Sequence, residues 1–595
     1  MLNGIGSNQD PLITLDLAGP ENGREGYYNW DYKNFGPRVA FAYAPNASSG
    51  LFGSLFGSGK TAIRGGFGMV YDRIGAGLLN TFDQFGSFGL STQLTNTTSP
   101  SVSTAPRVTG LNELPTSNPL FPQAPPGGFP FTPPDQEGGL AINWGLDNSI
   151  KTPFSYTVDL SVSREMPKGF SFEVSYVGRF SHRLLVQEDL AMPLNLVDPA
   201  SGISYFQAAR RFSELGAAGK TVADIQADPS LLGTTAAYWQ NLIAPLAPGD
   251  SYSLGCSGGS TLSPVLAAYD LFNCNVFNET TPLWQLDQVG SDFSGIPGIA
   301  GTDGIHYYPT KLGASAFFNK QFKSLYAWRS QGTANYNAMQ ASLHKRMARG
   351  LQFDLNYTFS KSIDIMSDAE RITQWGGLGG QVINSWDPKS RRGVSDYDLS
   401  HQINANWVVE LPFGRGRAWG HDSSRTLDAF IGGWQLSGLA RWTSGFPLSI
   451  LNGGTWPTNW QLGGGAVQVG QVETGTTIIP ATADSPSAIS IFKDPQGATG
   501  IEAFRHAFPG ESGGRNQIRG QGFAGLDMGL SKRWTMPWSE GHSLQFRWEV
   551  FNVPNLHRFD VQSINTNIDS GPAFGLYTGL LTNPRTMQFA LRYEF

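Results

Sequence analysis

Residues 351–360 read LQFDLNYTFS and alternate without a break between apolar and polar side chains. Leucine, phenylalanine and tyrosine hold the odd positions, and polar residues hold the even ones. Successive side chains of a β-strand point to opposite faces, so the pattern predicts a strand with one apolar and one polar face. The strand is long, because globular strands average ~5–6 residues. Tilted by about 45°, it would cover roughly 24 Å of bilayer, which matches the apolar band of a transmembrane barrel.

The same alternation recurs in ten other segments. A soluble β-sandwich also buries one face of each strand, so alternation alone does not separate the two architectures, but the strand length favours a barrel. The expected fold is therefore all-β, an antiparallel transmembrane β-barrel that is incomplete in this chain. The other ten segments are 38–44, 61–71, 153–164, 170–180, 335–346, 402–411, 434–443, 523–533, 543–552 and 586–595.

The connections between these segments alternate between short and long. Short periplasmic turns and long extracellular loops give this pattern in an outer-membrane barrel. The last strand follows a long connection, so it should run toward the periplasm and leave Phe595 at that end. The expected long extracellular loops are 72–152, 181–334, 362–401, 444–522 and 553–585.

Strand direction also predicts the organisation of the chain. Counting back from the last strand, segment 38–44 also descends, so residues 1–37 are expected to be the tail of an extracellular loop. Residues 38–595 are then the C-terminal part of a barrel. Bacterial single-chain barrels have an even strand number, and eleven is odd, so we expect a longer protein. A missed strand inside 181–334 is the alternative and would give twelve.

The composition excludes several classes of protein. Only 15% of the 595 residues are charged, against ~25% in a typical soluble chain. No run of about 18 apolar residues exists, which excludes a helical membrane protein. The formal net charge of −6 predicts no partnership with nucleic acid. One apolar, lipid-facing side per strand accounts for the low charge and for the 12% aromatic residues.

No arrangement of side chains predicts catalysis, a cofactor or a metal site. The eight histidines are scattered, and no nucleophile, base and acid occur in a recognisable order. The predicted loop 362–401 contains five acids, Asp364, Asp368, Glu370, Asp396 and Asp398, together with Arg371, Arg391 and Arg392. A calcium site is the alternative here, but EF-hand spacing is absent, so solvated charges and ion pairs are the preferred interpretation. Cys256 and Cys274 are expected to form a disulfide in an outer loop, with two buried thiols as the alternative.

Charged side chains on the polar faces of the strands are the candidates for the barrel lumen. In a barrel they contact water, a plug or each other, and plain lining of the wall is their simplest role. The candidates are Asp159, Glu173, Asp354, Glu410, Arg441, Asp527, Arg547, Glu549 and Arg592.

Several stretches resemble the barrel of TonB-dependent outer-membrane receptors, and most closely their Oar-like subgroup. They include NFGPRVAFAYAP at 34–45, GKTAIRGGFGMVYDR at 59–73 and FNVPNLHRF at 551–559. The resemblance implies a 22-stranded barrel, an N-terminal plug and a TonB box, and in the Oar-like subgroup a carboxypeptidase-regulatory-like domain. None of these N-terminal parts is visible in the sequence. The final LRYEF resembles the signal read by the barrel-assembly machinery, with Phe589, Leu591, Tyr593 and Phe595 as its apolar residues.

These observations predict a non-enzymatic barrel in the outer membrane of a Gram-negative bacterium. The expected function is uptake of a siderophore, oligosaccharide or peptide, with energy coupled through the plug and the TonB complex. The expected partners are outer-membrane lipid, lipopolysaccharide, the assembly machinery and an extracellular ligand. A passive structural, adhesion or secretion-related barrel is the alternative.

Overall fold

A computed structural model provides the structure of the chain. The described residues are 11–46, 49–50, 53, 56–72, 127–133, 142–243, 262–277, 279, 282–283, 286, 315–322, 324–367, 382–383, 385, 387–453, 464–481, 486–539 and 541–595.

Eleven long strands form one antiparallel sheet, and each strand pairs with the next along the chain. All eleven coincide with segments predicted from the alternation of side chains. The strands are β1 (Arg38–Tyr43), β2 (Thr61–Tyr71), β3 (Phe154–Met166), β4 (Phe170–Asp189), β5 (Ser324–Ala348), β6 (Leu351–Asp364), β7 (His401–Glu410), β8 (Trp434–Thr443), β9 (Ala524–Thr535), β10 (Ser543–Phe551) and β11 (Thr586–Glu594).

The two faces of this sheet differ in chemistry along its whole width. On one face, Leu160 pairs with Tyr176, Tyr176 with Met339, and Met339 with Phe359. These side chains are well exposed: Leu160 to 48%, Met339 to 44% and Phe359 to 48%. On the other face, the same register aligns polar residues such as Ser342, Asn356 and Asn404. An exposed apolar face opposite a polar face is the arrangement of strands that contact lipid on one side.

The connections between the strands are alternately short and long. We call the end with the long connections the outer end and the end with the short ones the periplasmic end. The periplasmic connections include the two residues 349–350 and the segment 411–433, which contains helix α5 (Arg425–Ile431). The outer connections are 72–153, 190–323, 365–400, 444–523 and 552–585.

Two strands extend well beyond the predicted segments. β4 has 20 residues and β5 has 25, whereas 170–180 and 335–346 were expected. A strand of 25 residues reaches roughly 80 Å, about three times the ~25 Å apolar band of a barrel. The outer part of β5, including Tyr326 and Trp328, is buried by the outer connections. The strands therefore continue above the membrane, where loop residues and not lipid cover them.

Part of the connection between β4 and β5 folds as a helical insert, which the sequence analysis did not predict. Its core is rich in aromatic side chains, and Phe212 stacks on Trp239 with ring centroids 4.8 Å apart. Side-chain caps begin three of the helices, from Ser204, Thr221 and Ser263. The helices are α1 (Tyr205–Ala217), α2 (Val222–Ala227), α3 (Ala236–Leu242) and α4 (Pro264–Cys274), with a 3₁₀ segment at Pro229–Thr235.

A second outer core joins the connection 444–523 to the connection 552–585. Phe492 stacks on Phe574 with a centroid distance of 5.0 Å, and both rings are fully buried. Short strand pairs support this core. Short strands beside or outside the main sheet are Ile142–Leu146, Val382–Ile383, Gly393–Val394, Pro447–Leu448, Val467–Gln468, Thr474–Ile479, Ala488–Phe492, Phe504–Arg505 and Ile518–Arg519. Shorter 3₁₀ segments are Pro20–Asn22, Pro167–Gly169, Ile501–Ala503, Val561–Ser563 and Ile568–Ala573.

The contrast between the two faces predicts how the sheet tolerates charge. Met339→Arg should destabilise the assembled protein by about 2–4 kcal/mol, because a cation would be placed in the middle of the lipid-facing side. The neighbouring Gln340→Arg is the matched control, since Gln340 is exposed on the polar face between Ser175 and Thr358. Denaturant titration of both variants in lipid vesicles measures the difference. Equal losses for the two variants would contradict the assignment of the faces.

The helical insert contains a buried acid that predicts a dependence on pH. Glu279 is fully buried and accepts a hydrogen bond from the Tyr205 hydroxyl, while its Oε2 has no hydrogen-bond partner among the described residues. Burial raises the pKa of Glu279 well above its ordinary value of 4.5. The folded insert therefore holds a proton that the unfolded chain releases. The free energy of unfolding falls as the pH rises from about 4.5, the ordinary pKa, through the raised pKa of the folded state.

Amide exchange of the insert should consequently be slower at about pH 5 than at about pH 8, after correction for intrinsic exchange rates. Glu279→Gln removes the proton equilibrium and should stabilise the insert at the higher pH, with little change at the lower one. If amide exchange of the Glu279→Gln variant kept the same pH dependence, a group other than Glu279 would be its cause.

Candidate functional site

The predicted lumen residues all lie on one face of the sheet. The strand register places them on the polar face, opposite the exposed apolar residues, although they are spread over eight strands. That this face lines a lumen stays a prediction. The residues are Asp159, Glu173, Asp354, Glu410, Arg441, Asp527, Arg547, Glu549 and Arg592.

Several of these residues have local partners instead of sharing one site. Glu410 pairs with Arg417 at 3.0 Å, and Arg592 lies 3.3 Å from Glu594. Asp354 contacts His344 on the neighbouring strand, and Glu549 accepts a hydrogen bond from Gln588. The two cross-strand pairs, Asp354–His344 and Glu549–Gln588, stabilise the wall of the sheet without forming a binding site.

Arg441 and Asp527 differ because they lie in a common cleft at the outer end of the sheet. The cleft has a volume of about 490 Å³ and opens on the polar face of β8, β9 and β10. Its walls are largely apolar, formed by Leu439, Phe523, Phe551 and Leu581, and the segment 581–584 borders it from the last outer connection. Concave, largely apolar sites with a few polar groups are typical of small-molecule binding.

Arg441 gives the cleft a cation. Among the described residues, it has neither an ion pair nor a hydrogen bond, and its side chain is exposed. Asp527 is engaged, since its Oδ1 accepts the backbone N–H of Asn552 at 2.8 Å. An arginine presents five N–H donors in a planar fork that suits carboxylate and phosphate groups. The cleft can therefore bind a ligand that combines an apolar body with an anionic group.

Asn552 fixes the wall of this cleft and was not singled out from the sequence. It adopts a left-handed backbone with φ of 53°, which asparagine tolerates better than most residues. Its Nδ2 donates to the carbonyls of Asn583 and Leu556 at 2.9 and 3.0 Å. Asn555 has φ of 52° and accepts the N–H of Arg585 at 2.9 Å. The two asparagines of the FNVPN stretch were the available signal for this turn.

A buried ionic network holds two outer connections together beside the cleft-bearing strands. Arg515 donates to Asp364 at 2.5 Å and to Asp396 at 3.1 Å, and its side chain is fully buried. Arg519 pairs with Asp398. Of the two preferred descriptions, ion pairs and not solvated charges apply to Asp364 and Asp398, which are 1% and 2% exposed. Their partners come from a distant connection and not from the arginines nearby in sequence.

Arg391 lies near Arg515 of this network, and its buried charge has few compensating contacts. Its guanidinium is buried, and among the described residues its only hydrogen bond goes to the Ser512 hydroxyl at 3.3 Å. Burial and the neighbouring Arg515 cation lower the pKa of Arg391 to about 10. The cost of burying this cation is offset in part by the nearby Asp396 carboxylate.

The remaining predicted residues lie away from the cleft. Cys274 ends helix α4, whereas Cys256 lies outside the described residues, so their disulfide stays a prediction. Phe589, Leu591, Tyr593 and Phe595 lie at the C-terminus with exposed side chains, Phe595 to 92%. Their role as an assembly signal also stays a prediction. No helix in the described parts of the chain has the length and apolarity needed to cross a membrane.

A comparison with protein families agrees with this architecture. The model of the outer membrane beta barrel domain matches residues 3–236 and 270–588. The chain belongs to this family of outer-membrane β-barrels. The antiparallel sheet with its lipid-facing side is thus the wall of an outer-membrane barrel, and the protein is located in the outer membrane. That the long connections are its extracellular loops stays a prediction. No curated protein sequence matches the chain.

Solved outer-membrane proteins align with the chain at low similarity. The transporter YddB from Escherichia coli covers 91% of the chain at 8% identity and a TM-score of 0.33, over 39% of its own length. A point mutant of the ferric enterobactin receptor PfeA from Pseudomonas aeruginosa covers 94% at 9% identity and a TM-score of 0.31, over 40% of its length. The chain spans about two fifths of these structures. TM-scores this low support no conclusion about ligand or mechanism.

The buried ionic network predicts a large effect from removing one partner. Arg515→Met should destabilise the outer connections by about 3–5 kcal/mol, because the buried Asp364 carboxylate loses its cation. Protease resistance of the loops in outer-membrane vesicles measures the loss. Lys493→Met is the matched control, since Lys493 and Glu473 form an exposed pair of about 0–1 kcal/mol. Arg515→Met combined with Asp364→Leu should recover part of the loss, and no recovery would contradict the pairing.

Proposed function

We propose that this barrel is the membrane part of a TonB-dependent receptor that takes up a small ligand from outside the cell. Energy for uptake is supplied through a plug domain that occupies the barrel and contacts the TonB complex. The protein transports and does not catalyse. The observation that carries the proposal is the cleft at the outer end of the polar face, in which the Arg441 guanidinium has no ionic partner among the described residues.

The position of the cleft supports capture from the extracellular side. It lies where β8, β9, β10 and β11 meet the outer connections, so a ligand reaches it before entering the barrel. The hydrogen bonds of Asn552 hold the bordering segment in place without a ligand. A preformed site avoids the entropy cost of ordering a loop on binding.

The chemistry of the cleft narrows the ligand classes. Ferric siderophores and acidic peptides carry anionic groups beside apolar or aromatic surface, as the cleft requires. A neutral oligosaccharide would use aromatic walls such as Phe523 and Phe551 but would leave Arg441 unpaired. We therefore favour an anionic siderophore or peptide over a neutral sugar. Lipopolysaccharide and the barrel-assembly machinery are the proposed partners in the membrane.

Uptake in cells with and without TonB tests the proposal. The protein is expressed from its complete gene, and the probes are a radiolabelled ferric catecholate, an acidic oligopeptide and a maltodextrin. One anionic probe should accumulate only in TonB-proficient cells. Arg441→Gln should weaken binding of that probe by about 10- to 150-fold, since a charged hydrogen bond contributes about 1.5–3 kcal/mol.

Arg547→Gln is the matched control, because Arg547 lies on the same polar face outside the cleft. It should leave binding unchanged. Equal permeation of all probes without TonB would instead indicate a passive barrel, which is the competing function. Equal losses for the two arginine variants would show that the cleft is not the binding site.

A further inference from the structure

The segment 411–433 is a folded unit at the periplasmic end, where most connections are short. Its helix α5 begins after Ser424, whose hydroxyl accepts the N–H of Leu427 at 3.2 Å. The Asp428 carboxylate accepts the N–H of Arg415 at 2.6 Å and fills the space beside Gly432 that a side chain would need. These contacts close the segment on itself and fix the orientation of α5.

Helix α5 docks on the lipid-facing side of the sheet. Trp434 and Trp534 lie on the apolar face, in register with Lys532 and Leu544 of the neighbouring strands. The indole N–H of Trp434 donates to the carbonyl of Phe430, and that of Trp534 donates to the carbonyl of Ala429, both at 2.7 Å. Because both donors project from the apolar face, the C-terminal end of α5 lies outside the barrel wall.

Lys532 reinforces this contact. Its Nζ lies 5.6 Å from the Trp434 ring and 5.3 Å from the Trp534 ring, and it donates to the carbonyl of Asp428 at 3.3 Å. A cation near the last carbonyls of a helix is favourable, because these carbonyls carry the negative end of the helix dipole. The two indoles and the ammonium group together satisfy three backbone acceptors of α5.

The opposite side of α5 is apolar and exposed. Phe430 is exposed to 71% and Leu427 to 49%. Trp419 in the same segment and Trp538 in the next periplasmic connection are exposed to 60% and 67%. These side chains form exposed apolar surface at the periplasmic end of the sheet.

We infer that α5 is an interfacial helix that inserts Leu427 and Phe430 into the phospholipid of the periplasmic leaflet. Helices of this kind lie in the membrane plane with their apolar side ~5–10 Å into the boundary between headgroups and acyl chains. Tryptophan prefers the same depth, which places Trp419 and Trp538 there as well. Continuity with the lipid-facing side of the barrel identifies phospholipid as the occupant of this surface.

Quenching by brominated lipid tests the insertion. The protein, with both native cysteines replaced by serine, carries one bimane-labelled cysteine at Phe430→Cys or Asp422→Cys and is reconstituted in phosphatidylethanolamine–phosphatidylglycerol nanodiscs. Asp422 is the matched control, since its side chain is 97% exposed in the same segment. Brominated acyl chains should reduce emission from position 430 about twofold, because that depth lies near the quencher. Emission from position 422 should not change.

A label at 430 that responds to aqueous iodide but not to brominated lipid would place α5 in the periplasm and overturn the inference. A second variant tests how the helix is held. Trp434→Phe with Trp534→Phe keeps two rings in the bilayer but removes both N–H donors. Quenching at position 430 should then fall while the heat-modifiable mobility of the barrel persists. Undiminished quenching would show that the indoles do not position the helix.

Discussion

The pairing of backbone hydrogen bonds between neighbouring strands is the constraint on which the structure depends. Inside a bilayer an unpaired N–H or C=O group costs several kcal/mol, so strands can cross only when each pairs with its neighbours. The eleven strands meet this requirement along one antiparallel path. β1 and β11 run in the same direction, so direct pairing between them would be parallel. Antiparallel closure of the barrel would take an odd number of further strands.

The same ladder of hydrogen bonds explains the amino-acid pattern. Once the backbone is paired, the side chains decide which face meets lipid, and a shift of one residue would exchange the faces. The continuous row through Leu160, Tyr176 and Met339 leaves no strand out of phase. Most charged groups of the strands lie on the opposite face, where Arg441 stays available to a ligand. Lys532, at the periplasmic end of the apolar face, is an exception.

Above the membrane this constraint no longer acts, and the chain needs other ways to order its outer connections. The structure uses three of them: strands β4 and β5 that extend outward, two aromatic cores, and buried ion pairs. A buried pair such as Arg515–Asp364 adds geometric specificity more than stability, because desolvation of both charges opposes their attraction. The cleft depends on ordered outer connections, because the segment 581–584 that borders it belongs to one of them.

The sequence predicted the membrane part of the fold well because the relevant signal is local. Alternation with period two can be read within ten residues, and all eleven strands were found from it. The outer ends of β4 and β5 were not, because side chains there are buried on both faces and no longer alternate. The helical insert was missed although α1 carries a helical signal, since Tyr205, Ala208 and Phe212 are buried at helical spacing. Helices α2 and α3 have only six and seven residues, too few for such a signal.

The candidate site was predicted only in part, for a related reason. Arg441 and Asp527 were identified by their place on the polar face, which strand parity determines. Asn552 and Arg515 act through partners distant in sequence: Arg515 and Asp364 are 151 residues apart. No local sequence pattern predicts the contact of Arg515 with Asp364. For Asn552 a local signal exists, because asparagine favours the left-handed turn that the FNVPN stretch forms.

The two ends of the barrel place different requirements on the same strands. At the outer end the polar face must stay open, so loops are held apart from Arg441 by their own cores and by Asn552. At the periplasmic end the apolar face must end at the headgroups, and the indole N–H groups of Trp434 and Trp534 are donors that acyl chains cannot satisfy. Helix α5 supplies the missing acceptors. The wall can therefore stay fixed in the bilayer while its polar face and outer connections remain free to bind a ligand.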